Sequence, residues 1–100
     1  MSNVELIKKK NFFYKMGVMC GDMLYTTYKF DDFEKMMKTA KGIKDRYGRD
    51  MLRCSFVIQT FRDDSYDFEK SCFSQIVVPV NDINLRFDRI MNEIMEDSNE

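Results

Sequence analysis

Histidine and tryptophan are absent from this chain of 100 residues, and proline occurs once, glycine four times and cysteine three times. Each scarcity excludes something. Without histidine the chain lacks the side chain that most often acts as general acid or base near neutral pH and most often ligates transition metals. Ser-His and Cys-His nucleophilic pairs are ruled out by composition. Cys20, Cys54 and Cys72 are odd in number, widely spaced and never in a C-x-x-C arrangement. Neither a zinc site nor a disulfide framework is therefore expected, and the thiols read as reduced and buried. No run of 18 apolar residues occurs, and the opening MSNVELIKKK lacks the charged-then-apolar order of a secretory signal. A cytoplasmic protein is expected.

What is present suits one small folded domain. Hydrophobic residues make up 44% and charged residues 33% of the chain, a balance that supports a core and argues against disorder. The formal charge of −1 gives the molecule no bulk attraction to nucleic acid or to an acidic membrane. The expected organisation is a polar leader over 1–11, a single α+β domain over 12–96 and an acidic tail over 97–100.

Residues 12–20 and 23–30 are rich in Phe, Tyr, Thr and Met and flank Gly21-Asp22, a two-residue hairpin signal. A helix from Val4 to about Met16 is the alternative reading of the first run. The two-residue loop would set Met19 opposite Leu24, Val18 opposite Tyr25 and Phe13 opposite Phe30. Next, Phe33, Met36, Met37, Ala40, Ile43 and Tyr47 form one apolar stripe at helical spacing, predicting a helix over 32–47. Asp31 and Glu34 resemble a capping box, and Gly48 is placed for a left-handed cap. Gly42, within the helix, implies a bend or a close approach to the backbone.

From Leu52 to Phe61 the residues alternate, with Leu52, Cys54, Phe56 and Ile58 on one side and Arg53, Ser55, Val57, Gln59 and Phe61 on the other. A polar connection leads to a second β-type run over 71–78, ended by Pro79. Asn81 or Asp82 then caps a last helix bearing Ile83, Phe87, Ile90, Met91 and Ile94. The order ββαββα predicts a four-stranded antiparallel sheet with two helices packed on one face.

Three constellations could carry chemistry. Asp63, Ser65, Asp67 and Glu69 alternate at the spacing of oxygen ligands, yet the positions where a calcium loop requires glycine and glutamate are occupied by Phe68 and Ser74. A solvated loop is the better reading. Arg53, Phe56 and Val57 weakly resemble the base-stacking strand of RNA-recognition motifs, but the glycine and second aromatic of that signature are missing. The third is the basic first helix. Lys35, Lys38, Lys41, Lys44, Arg46 and Arg49 are opposed over 35–49 by Asp45 alone, a local charge of +5, whereas from Asn81 onward two arginines face six acids, a charge of −4. These cations could meet phosphates or an acidic protein surface. No catalytic residue, cofactor or metal is expected.

The sheet face turned away from the helices is not polar. Val57 and Phe61, with Phe73 and Val77 of the following strand and Tyr25 of the first hairpin, form an expected apolar surface for a partner or for a second copy. The composition, with much Lys, Met, Phe, Asn and Asp and little Ala, Gly and Pro, resembles that of small proteins of AT-rich viral or phage genomes. That resemblance implies a non-enzymatic accessory protein which binds and inhibits a host protein, including defence proteins. A nucleic-acid-binding accessory protein using the basic helix is the alternative, and a structural homo-oligomer the second alternative.

Overall fold

The computed structural model describes residues 12–83. The chain runs β1 (Phe13–Cys20), β2 (Met23–Phe30), α1 (Phe33–Tyr47), a 3-10 turn (Gly48–Asp50), β3 (Cys54–Phe61), α2 (Phe68–Ser71), β4 (Cys72–Pro79) and a second 3-10 turn (Val80–Asp82). The fold is α+β around a four-stranded antiparallel sheet, as the pattern of elements requires. Strand order is β2-β1-β3-β4. The expected leader and acidic tail, and the expected last helix from Asn84 onward, lie outside the described residues.

β1 is a strand because Tyr14, Met16 and Val18 alternate toward one face, where all three are buried. Cys54, Phe56, Ile58 and Val78 join them, and α1 closes this side with Phe33, Met36, Met37 and Ala40. The α1 stripe is buried over its first two turns only. Ile43 is half-buried and Tyr47 is exposed, because the helix runs past the packed centre of the sheet. The N-cap of α1 is Asp32, one residue after the expected Asp31, and its side chain makes no cap bond. The helix crosses Gly42 with open space beside it rather than a close neighbour. Gly48 is right-handed, not left-handed, with φ −53°, and carries the chain into the 3-10 turn.

Two bulges alter the expected register. In β1–β2 the hairpin pairs Cys20 with Met23 and Met19 with Leu24, then shifts so that Val18 meets Thr26 and Tyr14 meets Phe30. Tyr25 is the extra residue. The expected Val18–Tyr25 and Phe13–Phe30 pairs are therefore each one residue off. Gly21 has φ +62° while Asp22 does not have a positive φ, the pattern of a type II′ turn with glycine first. In β3–β4, Thr60 pairs with Ser74 and Phe61 with Cys72, which leaves Phe73 as the extra residue.

Leu52 precedes β3 and is 78% exposed, so it does not share the inner face with Cys54, Phe56 and Ile58. Cys20 and Cys54 face each other in the β1–β3 ladder and are joined by a disulfide, with Cα atoms 4.1 Å apart. This corrects the expectation of three reduced thiols. Their separation of 34 residues carries no pairing signal, and only the return of β3 alongside β1 brings them together. Cys72 is the free cysteine. No helix among the described residues is long and apolar enough to cross a membrane.

Candidate functional site

The outer sheet face does not present the expected apolar patch. Phe61 does point outward, opposite Phe13, but it is fully buried because the β3–β4 connection folds back over it. Tyr66 does the covering. Its ring stands edge-on to Phe61 at 5.3 Å and to Phe13 at 6.3 Å, and Lys29 Nζ lies 5.0 Å from the ring centre. The Tyr66 hydroxyl donates to the Phe30 carbonyl at 3.4 Å. Tyr66 has φ 56°, a conformation uncommon for a bulky residue, and the aromatic contacts offset its cost. Burial also raises its phenol pKa, with Asp31 and Asp64 adding to the effect.

The loop beneath Tyr66 is organised by its own carboxylates. Asp63 Oδ1 accepts from the Ser65 amide at 2.9 Å and from the Ser65 hydroxyl, and these bonds hold its carboxyl below the usual range. Asp67 caps α2 by accepting from the Glu69 and Lys70 amides at 3.0 and 3.3 Å. Asp63 and Asp67 thus serve the backbone. Among the described residues no group of three His, Cys, Asp or Glu side chains could hold a metal ion.

Phe73 departs from expectation through the β4 bulge. The extra residue turns it to the helix side, where it packs on Phe12 at 4.9 Å beneath the Arg62 guanidinium at 4.2 Å. Val57 and Val77 do pair on the outer face, Val57 half-buried and Val77 exposed. Between them and the Tyr66 cover lies a polar row of Lys29, Lys15, Gln59 and Gln75, in which Gln59 donates to Gln75 at 2.9 Å. The outer face is divided rather than continuous.

The basic residues also separate. Lys35, Lys38, Arg46 and Arg49 are exposed, whereas Lys41 and Lys44 are half-buried. Lys44, Arg46 and Arg49 surround a polar depression together with Asp45, Asp50 and Asn81, so carboxylates interrupt the cations there.

A better-formed site lies on the other side of the sheet, where α1 overhangs β2. A groove of about 340 Å³ is floored by Val18, Ile43, Met51 and the Cys20–Cys54 disulfide, and its walls carry Tyr25, Tyr28, Tyr47 and Asp50. A second depression of about 310 Å³ shares Tyr28, Ile43 and Tyr47 and extends the groove to Arg46. Tyr25 is 66% and Tyr47 50% exposed. The β2 bulge is what places Tyr25 beside Thr26 on this side, and the overrun of α1 past the core is what leaves Tyr47 uncovered. Tyr28, Tyr47 and Met51 were not expected as site residues. Their only trace in the sequence is that Tyr47 ends the apolar stripe of α1, a position that periodicity cannot distinguish from core. Comparison with family models, curated proteins and solved structures finds no match to this chain.

Proposed function

We propose that this chain is a non-enzymatic protein-binding module and that the tyrosine-lined groove between β2 and α1 is its contact surface. One observation carries the reading: Tyr25, Tyr28 and Tyr47 stand around an apolar floor with their rings accessible. Tyrosine at a concave apolar surface gives large contact area with a polar tip, the side-chain type enriched where protein interfaces concentrate their binding energy. The occupant is an apolar or aromatic side chain of a protein partner, and Arg46 and Asp50 supply polar contacts at the rim. Such a module acts by occupying its target, in keeping with an accessory protein that inhibits a host protein.

The test is affinity capture compared across variants and with nuclease. Tyr25→Ala and Tyr47→Ala are expected to abolish capture of a defined protein target by speeding dissociation. Lys35→Ala with Lys38→Ala should alter mainly association rate and salt dependence. Nuclease should change nothing. Tight binding to mixed-sequence nucleic acid at physiological salt, lost with the lysine changes and kept with the tyrosine changes, would replace this reading by the phosphate-binding one.

A further inference from the structure

The strand beside this groove is an edge. Among the described residues β2 has β1 on one side and no neighbour on the other, and every residue from Met23 to Lys29 is exposed. β4, the opposite edge, is buried or half-buried at most positions and ends in Pro79, which cannot donate to a ladder. Edge strands normally carry charges, prolines or bulges that discourage pairing with another chain. β2 has its bulge at Tyr25, but from Thr26 to Phe30 it is regular and carries a single charge, Lys29.

Pairing geometry identifies the residues whose backbone faces outward. A two-residue turn closes on a hydrogen-bonded pair, here Cys20–Met23. The same alternation makes Cys20–Cys54 a non-hydrogen-bonded pair of the β1–β3 ladder, and the Cα spacing of 4.1 Å is the close spacing of that kind. Cys20, Val18, Met16 and Tyr14 therefore direct their peptide groups to β2. Thr26, Tyr28 and Phe30 answer them, and Thr27 and Lys29 are left with amides and carbonyls toward solvent.

We infer that β2 pairs antiparallel with β2 of a second copy of this chain, about a two-fold axis at Thr27, to give one continuous eight-stranded sheet. A two-fold antiparallel pair must set a residue against itself. Centring on Lys29 would oppose two like charges, and centring on Tyr25 would meet the bulge. Among the residues whose own peptide groups face outward, Thr27 is the uncharged, regular one. A non-hydrogen-bonded centre at Tyr28 would set Thr27 against Lys29 and hold the two Thr27 residues beyond disulfide range, so trapping at Thr27 distinguishes the two registers. The charges of α1 favour the same arrangement. The helix begins just after β2, beside Asp31 and Asp32, and its far end with the following 3-10 turn brings Arg46 beside Tyr28 and Asp50 beside Tyr25 in the groove. Antiparallel pairing turns the beginning of one α1, where Asp31, Asp32 and Glu34 outnumber Lys35 and Lys38, toward the end of the other, where Lys44, Arg46 and Arg49 outnumber Asp45 and Asp50. It also sets Thr26 against Tyr28 of the second copy, so the two grooves meet across the axis. This inference stands apart from the identity of whatever the groove binds.

Disulfide trapping tests it in a Cys72→Ser background. Thr27→Cys is expected to give a covalent dimer on mild oxidation, because a directly opposed pair lies about 5.5 Å apart at Cα, within disulfide range. Lys29→Cys should not, since its two copies would lie about 13 Å apart, four residues along the strand. Light scattering on the unmodified chain should approach twice 12.0 kDa at micromolar concentration. Thr27→Lys, which opposes two charges, should raise the dimer dissociation constant by about tenfold or more while leaving the monomer folded. A mass of 12.0 kDa at every concentration would overturn the inference. So would a dimer indifferent to Thr27→Lys, or equal trapping by both cysteine variants.

Discussion

The Asn81 side chain donates to the Gly48 carbonyl at 3.0 Å, and a Cβ placed on Gly48 would stand 2.7 Å from Asn81 Oδ1. The end of α1 is thus fastened to the turn that follows β4, and the bond requires a residue without a side chain at position 48. Gly48→Ala is expected to destabilise by about 1 kcal/mol, the value of the displaced hydrogen bond. Asn81→Ala should cost a similar amount. In the Asn81→Ala background the clash is gone, and Gly48→Ala should become neutral or stabilising, a non-additivity that a double-mutant cycle in urea measures directly. Gly42→Ala is the contrasting case. Its position is open, so it should stabilise by about 1 kcal/mol through helix propensity alone.

Tyr66 is expected to behave as a cover. Tyr66→Ala should destabilise by about 1 to 2 kcal/mol and uncover Phe61 and Phe13, which dye binding to exposed apolar surface would report. Tyr66→Phe should cost less than about 1 kcal/mol, because a hydroxyl bond of 3.4 Å is weak. Phe61→Lys, which would be harmless on a solvated face, should cost more than about 3 kcal/mol by burying an unpaired charge.

Tyr14, Thr60 and Ser74 lie in one row across the inner sheet face, and each carries a buried hydroxyl with no hydrogen-bond partner among the described residues. Desolvation raises the Tyr14 pKa, and the nearby Asp32 carboxylate raises it further. The unfolded chain ionises this tyrosine near pH 10, whereas the folded chain keeps it protonated to higher pH. Stability therefore begins to fall near pH 10 and goes on falling until the folded state ionises too, because between those points only the unfolded state gains from releasing the proton. Tyr14→Phe should flatten this alkaline loss. It should also be neutral or stabilising by up to about 2 kcal/mol at neutral pH, since an unpaired buried hydroxyl is removed. Urea midpoints at neutral and alkaline pH check both.

The Cys20–Cys54 bond closes 34 residues of chain, and loop-closure entropy at that length corresponds to about 3 to 4 kcal/mol. Reductant should lower the melting temperature by the corresponding amount, and Cys20→Ser should make it insensitive to reductant. Thiol titration in denaturant should find Cys72 alone before reduction and three thiols after it. In the folded protein burial raises the Cys72 thiol pKa, so it should react slowly at neutral pH.

The elements of this protein were legible because they are local. Periodicity marked α1 from Phe33 onward, Gly21-Asp22 marked the first hairpin, and the alternation of Cys54, Phe56 and Ile58 marked β3, since each depends on residues a few positions apart meeting one buried face. The facing of single side chains was legible only up to the first bulge. One extra residue at Tyr25 and another at Phe73 reversed the parity beyond them, and no residue type announces a bulge. The candidate site depended on tertiary structure alone. Phe61 has the same outward parity in sequence and structure, yet Tyr66 covers it, and Cys20 meets Cys54 only because β3 returns beside β1. Tyr25, Tyr28 and Tyr47 line one groove only because α1 crosses over β2. Contacts between residues this far apart arise from how elements pack, and hydrophobic pattern along the chain specifies which face is buried without specifying what lies against it.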